Sequence, residues 1–211
     1  MELFKHKIKT EYLILVLLFL FVLGFRLYFA FQIDQFSTDS AYFQYRHIEN
    51  IIKEKSLLFY DTLSYGGRFV PYPPLFHIIM ALLSLGFIFL LKIIPEIFIS
   101  LNVFIIYLIA KEISGNTYAS LFSALLASFY PILFLETLNS ISPYTLVIPL
   151  LLLMLYSLLK LDDKKYLWIF VILSFVLPLI HPSALVFVVT LLVYFLLLSG
   201  GALVPTKLKK E

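Results

Sequence analysis

The chain has 211 residues, of which 62% are hydrophobic and 14% charged, and its mean hydropathy is +0.99. A soluble domain of this size has too small a core for so many apolar side chains, so the composition indicates an integral membrane protein. The net charge of +3 comes from short lysine clusters rather than a continuous basic stripe, which argues against nucleic-acid binding. Because the sequence contains no cysteine, disulfides and thiolate sites are excluded.

Six apolar runs are long enough to be membrane spans, which need about 20 residues each. The first could be mistaken for a signal peptide, but no small-residue cleavage site follows it and the run is too long. The fifth ends at His181-Pro182, where proline disfavours helix in the preceding residue and so predicts a turn. We therefore predict an all-α, polytopic transmembrane bundle that forms one domain over residues 1–211. The predicted spans are Glu11 to Ile33, Pro95 to Ile113, Thr117 to Leu135, Pro143 to Leu161, Tyr166 to Ile180 and Ser183 to Ser199.

The distribution of basic residues decides whether a seventh apolar run, Pro74 to Leu91, also spans, since such residues accumulate on the cytoplasmic side. If it does not span, ten lysines lie inside against five basic residues outside; if it does, four lie inside against eleven. We therefore predict a multi-pass cell-membrane protein with about six spans, cytoplasmic termini, and an external interfacial or re-entrant helix at 74–91. The ten are Lys5, Lys7, Lys9, Lys111, Lys160, Lys164, Lys165, Lys207, Lys209 and Lys210, and the five are Arg46, Lys53, Lys55, Arg68 and Lys92.

Residues 34–94 then form a large first external loop, in which Ser37 or Thr38 can cap an amphipathic helix over 38–55. Its apolar stripe suits the bilayer surface or contact with other helices. Asp39 falls in the first turn, where the helix dipole favours a carboxylate, and Arg46 follows two turns later on the same side. Two roles are open for Asp39. It merely stabilises this helix start, or it binds a metal or accepts a proton from an acceptor while the free backbone amides hold phosphate. The stripe consists of Ala41, Tyr45, Ile48 and Ile52.

The loop motifs FSTDSAYFQYRHIENII, from Phe36 to Ile52, and YDTLSYGGRFVPYPPLFH, from Tyr60 to His77, resemble the first external loop of the GT-C membrane glycosyltransferases. The relatives implied are oligosaccharyltransferase catalytic subunits and dolichyl-phosphate-mannose mannosyltransferase-like enzymes. LIAKEISGN, from Leu108 to Asn116, and ASLFSALLASFYP, from Ala119 to Pro131, follow in a similar order. The resemblance implies a GT-C-like fold and transfer of a sugar from a polyprenyl- or dolichyl-phosphate-linked donor to an acceptor on the external face.

In such families an acidic residue of the first external loop is catalytic or binds a metal, and this role maps onto Asp39, with Mg²⁺ or Mn²⁺ as the candidate ion. A second acidic motif of oligosaccharyltransferases has no counterpart in NSISPY, from Asn139 to Tyr144, and Glu136 is the nearest substitute. Family members usually continue with more helices. The chain is therefore expected to be a minimal module, a fragment, or a subunit completed by further membrane subunits.

Five further side chains are candidate substrate ligands. Arg26, within the first span, either reaches the outer headgroups or pairs with the donor phosphate or with Glu136. We expect His181 to donate to a phosphate and His77 to orient the acceptor, although a lone histidine is more often structural. Arg68 lies in a segment suited to closing over a substrate, or is a solvated loop residue. The complete set is Arg26, Arg46, Arg68, His77 and His181.

The predicted mechanism places the donor phosphate near Arg26, Arg46 or His181, while Asp39 deprotonates the acceptor hydroxyl or helps to hold a metal. Two other classes stay open. A non-catalytic membrane subunit, or a lipid-carrier-binding scaffold of a glycosylation complex, would have kept the fold and lost the second acidic motif. A small transporter would also explain Arg26, but transporters place ionisable groups near the midplane, whereas nearly all charges here lie at the ends of the apolar runs.

Overall fold

The architecture is that of a computed structural model, which describes residues 10–63 and 65–199 apart from the side chains of 184, 198 and 199. These residues form ten α-helices and one two-stranded antiparallel hairpin, so the described fold is all-α as predicted. The elements are α1 (Thr10–Ala30), α2 (Asp39–Glu54), β1 (Tyr60–Asp61), β2 (Arg68–Phe69), α3 (Leu75–Ser84), α4 (Ile88–Ser100), α5 (Asn102–Ser114), α6 (Thr117–Ser128), α7 (Pro131–Thr137), α8 (Tyr144–Leu159), α9 (Lys164–Ile180) and α10 (Ser183–Ser199).

Two of the described helices are long and apolar enough to cross a membrane: α1, and the 27-residue unit of α4 and α5 from Ile88 to Ser114. A third span is formed if α6 and α7, which meet at a bend of 46°, are counted together. The bend lies at Pro131, which lacks an N–H and disfavours helix in Tyr130. With 16 to 17 residues, α8, α9 and α10 are each only about 24–26 Å long. Two or three spans are thus supported by length, and the six-span bundle stays a prediction.

The predicted interfacial helix at 74–91 is wrong in its second half. Helix α3 ends at Ser84, and α4 begins at Ile88 and continues through Pro95. The break between them contains Leu85 and Gly86 with φ values of 49° and 86°, a left-handed conformation that ends a helix. The break could not be predicted from hydrophobicity, because the residues on both of its sides are apolar. The ten residues of α3 extend only about 15 Å and cannot cross a bilayer.

Helix α2 occupies 39–54, within one residue of the predicted limits at each end. Thr38 is its N-cap, and the Thr38 hydroxyl accepts a hydrogen bond from the amide of Ala41. The predicted apolar stripe faces the protein interior, because Ala41 and Ile48 are fully buried against a core that includes Phe76 and Met80 of α3. Among the two alternatives for this helix, packing on other helices is the one observed.

Lys92 of α4 forms hydrogen bonds with the C-terminal end of α1. Its ammonium donates hydrogen bonds to the carbonyl oxygens of Ala30, at 3.4 Å, and Ile33, at 2.6 Å. These carbonyls lie at and beyond the C-terminus of α1, where no further helical N–H is available, so a cation stabilises them. The contact brings the start of the 34–94 loop against the first turns of α4.

The opposite end of α1 meets a second group of charges. Glu11 lies 3.6 Å from the ammonium of Lys111 and accepts a hydrogen bond from Thr117, and Lys160 lies 3.0 Å from Glu112. The predicted inner residues of the described chain therefore cluster at the end away from α2. Which end faces the cytoplasm stays a prediction, and the basic residues of both termini lie outside the described ranges: Lys5, Lys7, Lys9, Lys207, Lys209 and Lys210.

Candidate functional site

A cavity of about 280 Å³ lies where the ends of several helices meet on the α2 side of the bundle. Its walls are the first turns of α2, the segment 71–73 with the first turn of α3, the end of α7 with residues 141–144, and the α9–α10 connection at 180–182. Segments that are more than 100 residues apart in sequence thus share one concave surface. Concave sites with a few polar side chains among apolar and aromatic walls are typical of small-molecule binding.

Three of the predicted site residues line this cavity: His77, Glu136 and His181. Glu136 lies in the last turn of α7 with an exposed side chain, while its neighbour Thr137 is buried. Asp39 is not among the lining residues, but it lies between Thr38 and Ser40, which both line the cavity, and its side chain is exposed. The structure therefore brings four of the seven predicted residues to the cavity or to its edge.

Helix α2 presents its N-terminus to the cavity. Thr38 and Ser40 contribute hydroxyl groups to the wall, and Gln44 follows one turn later. The first amides of a helix carry a partial positive charge, which favours an anion near them. Asp39 lies in this first turn, and an anionic ligand group in the cavity would gain from the dipole.

The ring of His181 has a defined proton position. Its Nδ1 accepts a hydrogen bond from the backbone N–H of Ser183 at 3.2 Å and lies 2.7 Å from the Ser183 hydroxyl. Because a backbone N–H can only donate, the neutral ring carries its proton on Nε2. Burial lowers the pKa of His181 below its ordinary value, which favours this neutral form. His181 is thus suited to donate Nε2–H to an oxygen of a bound phosphate.

His77 is buried at the base of the cavity, with 3% of its surface exposed. Its Nε2–H donates to the side-chain oxygen of Gln44, and no described residue makes a hydrogen bond to its Nδ1. Burial, together with the neighbouring ring of His47, lowers the pKa of His77 to about 3. The backbone carbonyl of Pro73 partly offsets this lowering of the His77 pKa. His77 is consequently a neutral group at any physiological pH.

His47 and Tyr72, which surround His77, were not predicted as site residues. The His47 ring centroid lies 4.2 Å from that of Tyr72 and 5.3 Å from that of His77, and Tyr72 lies 4.7 Å from His77. Burial lowers the pKa of His47 and raises that of Tyr72. Both residues lie within the two loop motifs, but their contact depends on how α2 packs against the segment before α3, which no local pattern encodes. We call His47, Tyr72 and His77 the imidazole cluster.

The three predicted arginines are not among the described residues that line the cavity. Arg46 forms an ion pair with Asp61, and Arg68 is an exposed residue of β2 opposite Asp61 in the hairpin. Arg26 is buried, with 2% of its surface exposed, and pairs with Glu96 at 2.6 Å. It therefore neither reaches the headgroups nor uses Glu136 as its partner. A substrate-binding role for these arginines stays a prediction, which for Arg26 and Arg46 would require the existing ion pair to open.

The described residues do not form a metal-binding cluster. No group of three or more histidine, aspartate or glutamate side chains within them is close enough to hold an ion. Mg²⁺ is often bound through one or two carboxylates together with substrate phosphates, and Asp39 supplies a single carboxylate. The described residues therefore do not fit an ion held by protein side chains alone.

Comparison of the chain with protein-family models and with curated proteins finds no match to either. Family membership and activity are therefore not assigned by a relative. Function has to be inferred from the cavity and from the chemistry of its own side chains.

Proposed function

We propose that this chain is a membrane glycosyltransferase of the GT-C type, which transfers a sugar from a polyprenyl- or dolichyl-phosphate-linked donor to an acceptor bound in the cavity. The observation that carries the proposal is the convergence of Glu136, His77 and His181 on one cavity beside the N-terminus of α2. A carboxylate can take the proton of the acceptor, and a histidine donor and a helix N-terminus can stabilise the phosphate that leaves. They stand at the ends of apolar helices, where the headgroup of a lipid-linked donor would lie.

The outward surface of the helices suits a lipid-linked substrate. Large apolar side chains are exposed along α1, α6, α9 and α10, including Phe21, Phe122, Phe175 and Leu196. So many exposed apolar side chains on these helices fit hydrocarbon rather than water. The isoprenoid chain of the donor can therefore remain in the bilayer while its phosphate and sugar reach the cavity.

In the proposed reaction an acceptor hydroxyl attacks the anomeric carbon of the sugar. A new bond forms between the acceptor oxygen and that carbon, the bond from the same carbon to the phosphate oxygen breaks, and the phosphate leaves with the electron pair. The acceptor proton passes to a carboxylate. Glu136 is the better-placed base because it lines the cavity, and Asp39 is the second candidate at its edge.

His181 stabilises the leaving group in this scheme. The Nε2–H of the neutral ring donates to a phosphate oxygen as negative charge develops there, and the dipole of α2 acts on the same anion. His77 is neutral and lies deeper, so it shapes the acceptor side through Gln44 rather than transferring a proton. The division of roles follows from which imidazole has a hydrogen free to donate.

The lack of a second carboxylate among the described lining residues favours a second candidate, the non-catalytic subunit that binds the lipid carrier. With only Glu136 as a lining carboxylate among the described residues, such a subunit would bind polyprenyl phosphate without turning it over. The two functions differ in a measurable way, because both require binding of the lipid phosphate and only one requires a base.

The test uses the purified chain in liposomes with a radiolabelled polyprenyl-phosphate sugar, and follows binding and transfer or hydrolysis separately. Glu136→Gln and Asp39→Asn should each leave donor binding in place, and loss of the base should reduce turnover by about 10²–10⁴-fold. Glu54→Gln, an exposed carboxylate on α2 outside the cavity, is the matched control and should remain active. Full activity of both cavity variants would contradict the proposed mechanism. Binding without turnover by the unaltered chain would support the subunit instead.

A further inference from the structure

The buried ion pair of Arg26 and Glu96 connects three helices inside the bundle. The Nε of Arg26 donates to Oε2 of Glu96 at 2.6 Å, and its Nη2 donates to the hydroxyl of Thr137 at 2.8 Å. The exposed fractions of the Arg26 and Glu96 side chains are 2% and 0%. The contacts join α1 to α4 and to the end of α7. A buried pair of this kind is weak evidence for stability, so its other contacts indicate what it does.

The second oxygen of Glu96 holds the backbone of the turn after α7. Its Oε1 accepts a hydrogen bond from the amide of Asn139 at 2.8 Å. Asn139 has a φ of 50°, a left-handed conformation that asparagine tolerates better than most non-glycine residues and that is typical of a tight turn. The side-chain amide of Asn139 also donates to the carbonyl of Gln35 at 2.8 Å. Glu96 therefore holds a left-handed turn that faces the start of α2.

The other side of this turn is bonded to the residues that begin α2. The amide of Ser37 donates to the carbonyl of Asn139 at 3.0 Å, and the Ser37 hydroxyl donates to the carbonyl of Leu138 at 2.7 Å. The hydroxyls of Thr38 and Ser140 are hydrogen bonded at 2.9 Å. We call these contacts the 37–140 seam. The seam joins the two walls of the cavity, since α2 begins on one side and residues 141–144 follow on the other.

We propose that Glu96 is a positioning residue for the cavity. By accepting the hydrogen bond from the Asn139 N–H, Glu96 holds the turn after α7. The 37–140 seam then fixes the position of the N-terminus of α2 relative to the wall that carries Glu136. Arg26 keeps the Glu96 carboxylate in place. The proposal rests on the proposed function only in what the cavity is expected to bind, since the geometry of the two walls is defined without a substrate.

Two double variants separate the Asn139 contact from the loss of charge. Arg26→Met with Glu96→Gln removes both charges but keeps a side-chain carbonyl that can accept the Asn139 N–H. Arg26→Met with Glu96→Leu removes the charges and that acceptor together. Neither variant leaves an unpaired buried ion, which a single substitution would do. The two variants therefore differ mainly in the hydrogen bond that the proposal invokes.

The measurement is the distance between the two walls, taken by electron paramagnetic resonance of spin labels in liposomes. Because the sequence contains no cysteine, labels attach only at introduced sites. Glu54→Cys reports α2 and Leu135→Cys reports α7, and both positions are exposed. The unaltered chain and the Gln variant should give one narrow distance distribution, and the Leu variant one at least twice as wide. A role in stability alone would lower the unfolding temperature without widening the distribution below it.

A narrow distribution in the folded Leu variant would overturn the proposal, and so would equal broadening in the Gln and Leu variants. If the Leu variant does not fold, Ser37→Ala with Ser140→Ala decides, because it cuts two side-chain contacts of the seam and leaves the ion pair intact. Broadening in that variant supports the proposal, and an unchanged distribution overturns it. The distances are measured without substrate, so this outcome and that of the transfer assay are independent.

Discussion

Acidification should destabilise the protein through His77. The ring is buried in the imidazole cluster, and its Nε2–H donates to Gln44. Protonation would place a charge beside His47 in a site where burial already lowers the pKa of His77 to about 3. In the unfolded chain the same histidine has its ordinary pKa of about 6.5. The folded protein therefore excludes a proton that the unfolded chain binds readily.

The sign and size of the effect follow from this difference in pKa. Between pH 6.5 and pH 3 the unfolded state holds the proton and the folded state does not, so the free energy of unfolding falls as the pH falls. Above pH 6.5 both states are neutral at His77 and its contribution is constant. From pH 7.5 to pH 5.5 the expected loss from His77 is about 1.4 kcal/mol, or about tenfold in the unfolding equilibrium constant. The lowered pKa of His47 acts in the same direction.

The assay is reversible unfolding in mixed micelles at pH 7.5 and pH 5.5, with the free energy of unfolding compared between variants. His77→Gln should show a pH dependence that is smaller than that of the unaltered chain by about 1.4 kcal/mol. Tyr72→Phe is the matched control, since it alters the same cluster but removes no group that titrates in this range. An unchanged pH dependence in His77→Gln would refute the account of a buried neutral ring.

Two further predictions concern the ion pair and the topology. Glu96→Leu alone should lower the free energy of unfolding by about 3–5 kcal/mol, because Arg26 would stay buried without a counter-charge. Adding Arg26→Met should restore most of this loss. Equal stability of the single and double variants in micelle unfolding would contradict this expectation. Cysteines at the exposed positions Leu63 and Tyr118 should react with a membrane-impermeant maleimide from opposite sides, Leu63 from outside in intact cells and Tyr118 only after lysis. Labelling of both residues in intact cells would refute the predicted orientation.

Local features of the fold were predictable because local chemistry determines them. The Thr38 cap and the spacing of apolar residues locate α2 to within a residue at each end. The turn at His181 follows from the proline after it, and α10 occupies the predicted run. The division of one apolar stretch at Leu85 was not predictable in the same way. Hydrophobicity does not change there, and the left-handed break is carried by a leucine as well as a glycine.

The candidate site was predictable in part. Placing the loop, the α7 end and the α9–α10 turn on one side of the bundle puts His77, Glu136 and His181 on that side, and the structure brings them to one cavity. The side also includes Arg46 and Arg68, which sequence alone cannot separate from the true lining. Their positions depend on the hairpin and on the pairing of Arg46 in α2 with Asp61 in β1, two residues 15 positions apart in the sequence.

The pairing of Arg26 with Glu136, one of the alternatives considered from the sequence, is wrong for a reason that applies to other membrane proteins. Glu136 was considered because it was expected at the same end of the bundle, whereas Glu96 lies inside an apolar helix. Yet Glu96 is the only acidic residue between Asp61 and Glu112, and Arg26 is the only basic residue of the first apolar run. An isolated charge within a span is too costly to remain unpaired, so two opposite charges in different spans are each other's expected partners when their depths agree. Glu96 falls within the predicted span Pro95 to Ile113, whereas Glu136 lies just beyond Thr117 to Leu135, so the rule favours Glu96 and leaves Glu136 available for the cavity.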